Sequence, residues 1–525
     1  MLKLMLIFTM SLSLTAAKKT FIYCSEGSPS TFNPQIAMDG TTFNASSKTV
    51  YNRLVEFKNG TTAIFPALAT SWEYDNQSMI WTFNLRRGVK WHSNKRFSPT
   101  REFNADDVLF SFNRMRLKEH PYHKVSGGRY EYFEAMDMSK MIKNIIKIND
   151  YQIKISLTKN FTPFLSNLAM DFASILSKEY GDKMLKAGTP EAIDNYPIGT
   201  GVFVFQKYIK DTMIRFTAND DYFGKKSELD NLVFSITVDK NVRIQKLKTG
   251  ECHLVAYPAV QSLDAIRANN KLKVMEGEGS NVAYLALNVR VKPFDNVLVR
   301  QAINHALHRS NYIKTVYKNT AVLAKNPIPP TLWGYNAKIK DYQYNPELAK
   351  KLLKQAGYPN GFNAELWTLP VQRPYMPDGK KAGVLMQADL AKVGIKVKLI
   401  TYDWPTYLSK ASKGEHQMLQ LGWSGDNGDP DNFLSVLLSC AAIKSGANHA
   451  GWCNRKFDNI INKAASIADT KKRSALYRQA QEIFKAQAPW VVLAHAKIFR
   501  AMSNNVQGYH IDPLGSDRFD GVSLR

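Results

Sequence analysis

The sequence predicts a mixed α/β protein built from two or three domains. Its 525 residues exceed what one hydrophobic core usually holds. Val- and Ile-rich runs alternate with amphipathic segments along the chain, as in layered sheets and helices. No internal repeat or low-complexity linker interrupts that alternation. An apolar content of 44% and a charged content of 22% are those of a globular rather than a disordered chain.

Taken in order, the first segment reads as a secretory signal. Lys3 is a minimal basic head, residues 4–14 are an apolar stretch, and Thr15-Ala16-Ala17 offers small residues for cleavage. The stretch is too short to span a bilayer. Residues 1–17 are therefore expected to be removed on export. No later apolar run is long enough for a membrane span, so no direct membrane insertion is expected of the mature chain. Cys24 follows Phe21-Ile22-Tyr23 rather than small residues, which argues against lipid attachment.

Residues 232–238 and 396–402 read as strands, being rich in Val and Ile. Residues 299–307 read as an amphipathic helix. A further helix is bracketed by Asn345 as N-cap, Pro346 at its first position and Gly357 just past its end. Leu348, Leu352 and Leu353 supply its apolar face. Residues 417–421 read as a strand, 471–485 as a helix, and 490–494 as a buried strand.

The net charge of +25 suits nucleic acid, an anionic surface or anionic ligands. The 70 Lys and Arg are spread without long runs, however, so the reading is a solvated basic surface and no nucleic-acid partner. Four cysteines, Cys24, Cys252, Cys440 and Cys453, fit an oxidising compartment. Three pairings are possible. The simplest joins Cys440 to Cys453 and leaves Cys24 with Cys252, tying the mature N-terminus to mid-chain. No C-x-x-C pair supports zinc.

Catalytic signatures are missing. There is no Walker A loop, no H-E-x-x-H and no complete G-x-S-x-G, since Asp426 stands where the last glycine belongs. Gly199-Thr200-Gly201 lacks a third glycine and reads as a turn. His305 and His308 share a helix face but read as surface or packing residues. Asp426, Asp429 and Asp431 invite calcium, yet Gly428 is misplaced for an EF-hand and no Glu closes the loop. No catalytic residue, metal or cofactor is expected, and the chain does not read as an enzyme.

Two segments point to ligand binding. In 421–433, LGWSGDNGDPDNF, a predicted strand runs into a Gly-rich turn opening with Trp423 and carrying Asp426. Glycines allow close backbone approach, Trp423 supplies an apolar wall, and Asp426 is a fixed acid suited to an α-ammonium group. In Leu369-Pro370-Val371-Gln372-Arg373-Pro374-Tyr375, two prolines stiffen the backbone around Arg373. A guanidinium takes a carboxylate through two parallel hydrogen bonds. One anion and one cation on rigid loops would grip the two ends of a zwitterion.

Motifs along the mature chain carry a family resemblance. They include Ala69-Thr70-Ser71-Trp72, Leu85-Arg86-Arg87-Gly88-Val89-Lys90-Trp91 and Asn104-Ala105-Asp106-Asp107-Val108. Others are Tyr51-Asn52-Arg53-Leu54-Val55-Glu56-Phe57, His123-Lys124-Val125-Ser126-Gly127-Gly128 and Gly422-Trp423-Ser424-Gly425-Asp426-Asn427-Gly428-Asp429. The chain resembles the extracytoplasmic solute-binding proteins that feed peptide and nickel ABC importers, and its dipeptide-binding branch above all. The resemblance runs from Tyr23 to Gly515 and places all four cysteines in that branch's two disulfides, Cys24–Cys252 and Cys440–Cys453.

The resemblance implies a periplasmic, monomeric, two-lobed α/β binding protein. Lobe one would comprise 18–50, 193–280 and 497–525, with an extra domain from 51–192 packed on it, and lobe two would comprise 281–496. It implies a dipeptide ligand delivered to an inner-membrane ABC permease. Asp426 would take the α-ammonium, Arg373 the C-terminal carboxylate, and Trp423 and Tyr375 would line the side-chain pockets. Backbone groups near Gly40-Thr41-Thr42 and at Gly422 would bond the peptide main chain. The same family fold also admits haem, glutathione or longer peptides.

Overall fold

The computed structural model describes residues 18–370 and 373–525, so the expected signal segment lies outside the described residues. Two hydrophobic cores organise the chain. One is drawn from both ends of the sequence and includes Phe21, Tyr23, Phe83, Phe112, Phe234 and Met502. The other lies wholly between Val282 and Ala496.

A long strand, Trp490–Ser503, belongs to the sheets of both halves. In the first half the strand order is Phe203–Ile209, Met213–Ala218, Asn231–Ile236, Thr20–Ser25, Leu254–Ala256, then the long strand, which Leu272–Glu278 also joins. In the second half the order is Ile395–Ile400, Phe362–Trp367, Met418–Ser424, Asn281–Leu287, then the other end of the long strand. A separate four-stranded antiparallel sheet, built from Ala69–Asp75, Ile80–Leu85, Gln152–Leu157 and Ile142–Asn149, packs into the first core.

The chain crosses between halves at 279–280 and again within the long strand. Asn281 fastens these crossings together. Its side chain accepts from the Ala496 N–H and donates to the Ala496 carbonyl, both at 2.8 Å. Gly279 is required here, because a Cβ would lie 2.5 Å from the Ala496 oxygen.

The local expectations hold with small shifts. Strands occupy Asn231–Ile236 and Ile395–Ile400, and helices occupy Val297–Ala306 and Thr470–Gln487. In the helix Pro346–Gln355 the Asn345 side chain caps the Leu348 N–H, and Gly357 follows at φ 92°. Two differences matter. The strand expected at 490–494 continues to Ser503, because Leu272–Glu278 pairs with its second half. The strand expected at 417–421 runs on to Ser424, because Val282 and Asn281 pair with Trp423 and Ser424. The turn therefore opens at Gly425 rather than at Trp423.

Disulfides join Cys24 to Cys252 and Cys440 to Cys453. The first lies in a small apolar cluster with Ile244, Val255 and Ala501. Among the described residues no helix is long and apolar enough to cross a membrane.

Candidate ligand-binding site

The loop that follows Met418–Ser424 is fixed by one side chain that sequence reasoning missed, Asn432. Its Oδ1 accepts from both the Asp426 N–H and the Trp423 indole N–H at 3.0 Å, and its Nδ2 donates to Asp426 Oδ2 at 3.3 Å. Asn432 is held in place by the helix Asp431–Leu438. Gly425 closes the turn by donating to the Ser280 carbonyl at 2.6 Å, beside the crossing between halves.

Asp426 faces a cavity of about 160 Å³ at the junction of the two halves. Ser424, Gly425 and Asp426 line it from one half, and Gly40, Phe43, Lys48, Tyr132 and Asp171 from the other. The Tyr132 hydroxyl donates to Asp426 Oδ1 at 3.2 Å. Burial pushes the Asp426 carboxyl up to about 7, against hydrogen bonds from Asn432 and Tyr132, and the neighbouring Asp171 adds to the rise. No cation among the described residues pairs with it. A desolvated acid without a counter-ion is a natural receiver for a ligand cation.

Other contacts also join the halves. Asn427 donates to Asn167 Oδ1 at 2.7 Å, and the Thr162 N–H donates to the Ala465 carbonyl at 2.7 Å.

Arg373 and Tyr375 do not line this cavity. A tight turn pairs Arg373 with Met376 through two backbone hydrogen bonds of 3.0 Å. The guanidinium lies 4.3 Å over the Trp404 ring, a cation–π contact that does not itself use the N–H groups. The Tyr375 ring packs on Gly422, where a Cβ would sit 2.3 Å from it, so glycine is needed on the strand that delivers Asp426. Burial pushes the Tyr375 hydroxyl up to about 12, with the Arg373 charge pulling the other way.

Gly422 lies past the end of the ladder with Phe362–Trp367, which stops at Trp367 and Leu419, so among the described residues that flank of its strand has no neighbouring strand. Thr41 and Thr42 lie at a helix N-terminus. They open the helix Gly40–Ala45, whose N-cap Asp39 accepts from the Thr42 N–H and from both threonine hydroxyls. Gly40 is the member of that trio that reaches the cavity.

The other acids of the loop have different work. Asp429 is buried and paired with Arg473 at 2.9 Å, and its Oδ1 caps the Asp431 N–H. Asp431 accepts from Ser435, and burial pushes its carboxyl up to about 6, with Asp429 adding to the rise. His305 bonds the Gln343 carbonyl and His308 stacks on Tyr344. Among the described residues no His, Cys, Asp and Glu grouping could hold a metal ion.

Residues 63–445 match the bacterial extracellular solute-binding proteins, family 5 (middle). The chain is 50% identical to the dipeptide-binding protein of Escherichia coli, covering 100% of this chain and 98% of that one. It is 47% identical to heme-binding protein A of Haemophilus influenzae, over 97% of this chain and 93% of the other. The solved structure of HbpA2 from Haemophilus parasuis superposes with a TM-score of 0.92 at 44% identity, over 96% of this chain and 100% of that one. The role that follows is solute binding rather than catalysis, on the α/β periplasmic-binding-protein fold. The chain belongs to the family 5 bacterial extracellular solute-binding proteins.

Proposed function

We propose that this protein captures dipeptides in the periplasm and delivers them to an inner-membrane ABC importer. The observation that carries the reading is the Asp426 carboxylate, enclosed between the halves, hydrogen-bonded by neutral donors and lacking a cation. A peptide α-ammonium supplies that missing charge. Arg373, its guanidinium stacked on Trp404, takes the C-terminal carboxylate, while Tyr375 and Trp423 wall the space between.

On this reading residues 281–496 form one lobe and the remainder the other, with 51–192 as the extra domain. The crossings at Asn281 and Ala496 are the hinge about which they close. Fixing both ligand ends measures length. Each extended residue adds ~3.3 Å, so a third residue would carry the carboxylate off Arg373. The ligand supplies counter-ions for the buried Asp426 and for Arg373, which makes closure depend on its presence.

Haem is less well suited to this site. The Asp426 carboxylate, facing the cavity without a cation beside it among the described residues, would repel propionates. Calorimetry with Ala-Ala, N-acetyl-Ala-Ala, tri-alanine, glutathione and haemin tests the reading. Tight binding of Ala-Ala and loss of binding on acetylation are expected. A Soret band with haemin and no heat from Ala-Ala would overturn it.

A further inference from the structure

The cavity that contains Asp426 but not Arg373 is, on the reading above, the pocket of the ligand's ammonium-bearing residue. Lys48 and Asp171 also line it. The Lys48 side chain is 5% exposed and its ammonium lies 2.9 Å from Asp171 Oδ1. Lysine is rarely buried to this degree without several partners. An ammonium carries three N–H donors, yet among the described residues Asp171 alone stands within ion-pair distance. Asp171 Oδ1 also receives the Ser47 hydroxyl, whereas its Oδ2 accepts no hydrogen bond from the described residues. The pair therefore keeps unused donors and one unused acceptor in a ligand cavity.

Charge decides what can use them. Asp426, Asp171 and Lys48 leave one negative charge, which the ligand ammonium cancels. A second ligand charge here would sit desolvated and uncompensated. A carboxamide satisfies Lys48 and Asp171 at once, because it accepts through oxygen and donates through nitrogen. The neighbouring walls of Met38, Met170, Phe172 and Leu514 suit an aliphatic stem.

We propose that the Lys48–Asp171 pair sets side-chain specificity, favouring dipeptides whose first residue ends in a carboxamide on an aliphatic stem, as glutamine does. This rests on the dipeptide reading and deepens it.

Calorimetry on the full mature protein with Ala-Ala, Gln-Ala, Met-Ala and Glu-Ala tests it. Gln-Ala should bind at least tenfold tighter than its near-isostere Met-Ala, and Glu-Ala should bind more weakly than Gln-Ala. In Lys48→Met the Gln-Ala to Met-Ala ratio should collapse towards one, and Asp171→Asn, read the same way, serves if the first variant does not fold. Met-Ala binding as tightly as Gln-Ala to the unaltered protein would overturn the proposal, as would an unchanged ratio in a folded variant. Failure of Ala-Ala itself to bind would instead overturn the dipeptide reading.

Discussion

The Tyr132 hydroxyl donates to Asp426 Oδ1 at 3.2 Å, linking positions 294 residues apart in the chain and in different halves of the molecule. Asp426 in turn pushes the Tyr132 hydroxyl well above its ordinary range, and burial adds to the rise. The bond thus depends on contact between the halves and on the charge of Asp426 together. Tyr132→Phe keeps the ring, which packs near Phe43 at 5.9 Å, and removes the donor. A hydrogen bond to a charged group is worth about 1.5–3 kcal/mol, so dipeptide affinity should fall at least tenfold by calorimetry. Unchanged affinity would remove Tyr132 from the closed state.

The raised Asp426 carboxyl gives binding a pH dependence of defined sign. Without ligand the enclosed group titrates near 7, and a bound ammonium favours its ionised form, so binding below pH 7 expels a proton. Affinity should therefore climb between pH 5 and about 7, then fall above ~8 as the ligand α-amine loses its proton. In the unliganded closed form the same shift favours the protonated acid. Stability is full below the unfolded value near 3.8 and is lost as pH rises through about 7. In Asp426→Asn the acid limb of the affinity profile should flatten, with binding weakened by about 2–5 kcal/mol. Calorimetry in buffers of different ionisation heat checks the proton release directly.

Arg373 differs from Asp426 in being half-exposed and stacked on Trp404 at 4.3 Å. The stack orients the guanidinium plane without using its N–H groups, as a bidentate carboxylate clamp requires. Arg373→Lys keeps the charge and loses the fork. Ala-Ala should bind it at least tenfold more weakly, and the C-terminal amide Ala-Ala-NH2 should bind both forms poorly. Equal binding of acid and amide by the unaltered protein would show that no carboxylate is read.

Much of this was legible in the sequence for local reasons. The cap, proline and glycine around Pro346–Gln355 specify that helix without help from the rest of the fold. The Gly-rich turn after a strand likewise exposed Asp426 as a candidate. The long strand was read short because its second half carries Lys497 and Arg500, which look unlike a buried strand. Arg500 is buried all the same, since Asp517 meets it at 2.6 Å from a segment no periodicity connects to it. Tyr132, Lys48, Asp171 and Asn432 escaped for the same reason. Their significance lies in what faces them across the cavity or the loop, and a single sequence carries no trace of that.

Asp429 lies three residues beyond Asp426 on the same loop and is predicted to behave oppositely. Burial raises its carboxyl, and the Arg473 guanidinium at 2.9 Å works against that rise, so its counter-ion is already built in. Arg473 stands on the helix Thr470–Gln487 and also donates to the Ala464 carbonyl and the Tyr477 hydroxyl, so its pair with Asp429 ties the loop to that helix. Arg473→Met removes one partner and leaves a buried, uncompensated carboxylate. The expected cost is about 3–5 kcal/mol of stability, read as a lower urea midpoint at unchanged slope. Asp429→Asn with Arg473→Met should recover much of that loss, because neither charge then remains buried alone. Dipeptide affinity of the folded double variant should stay within a few-fold of the unaltered protein, since Arg473 meets the Asp429 charge within the fold, whereas the proposed ligand contact is Asp426.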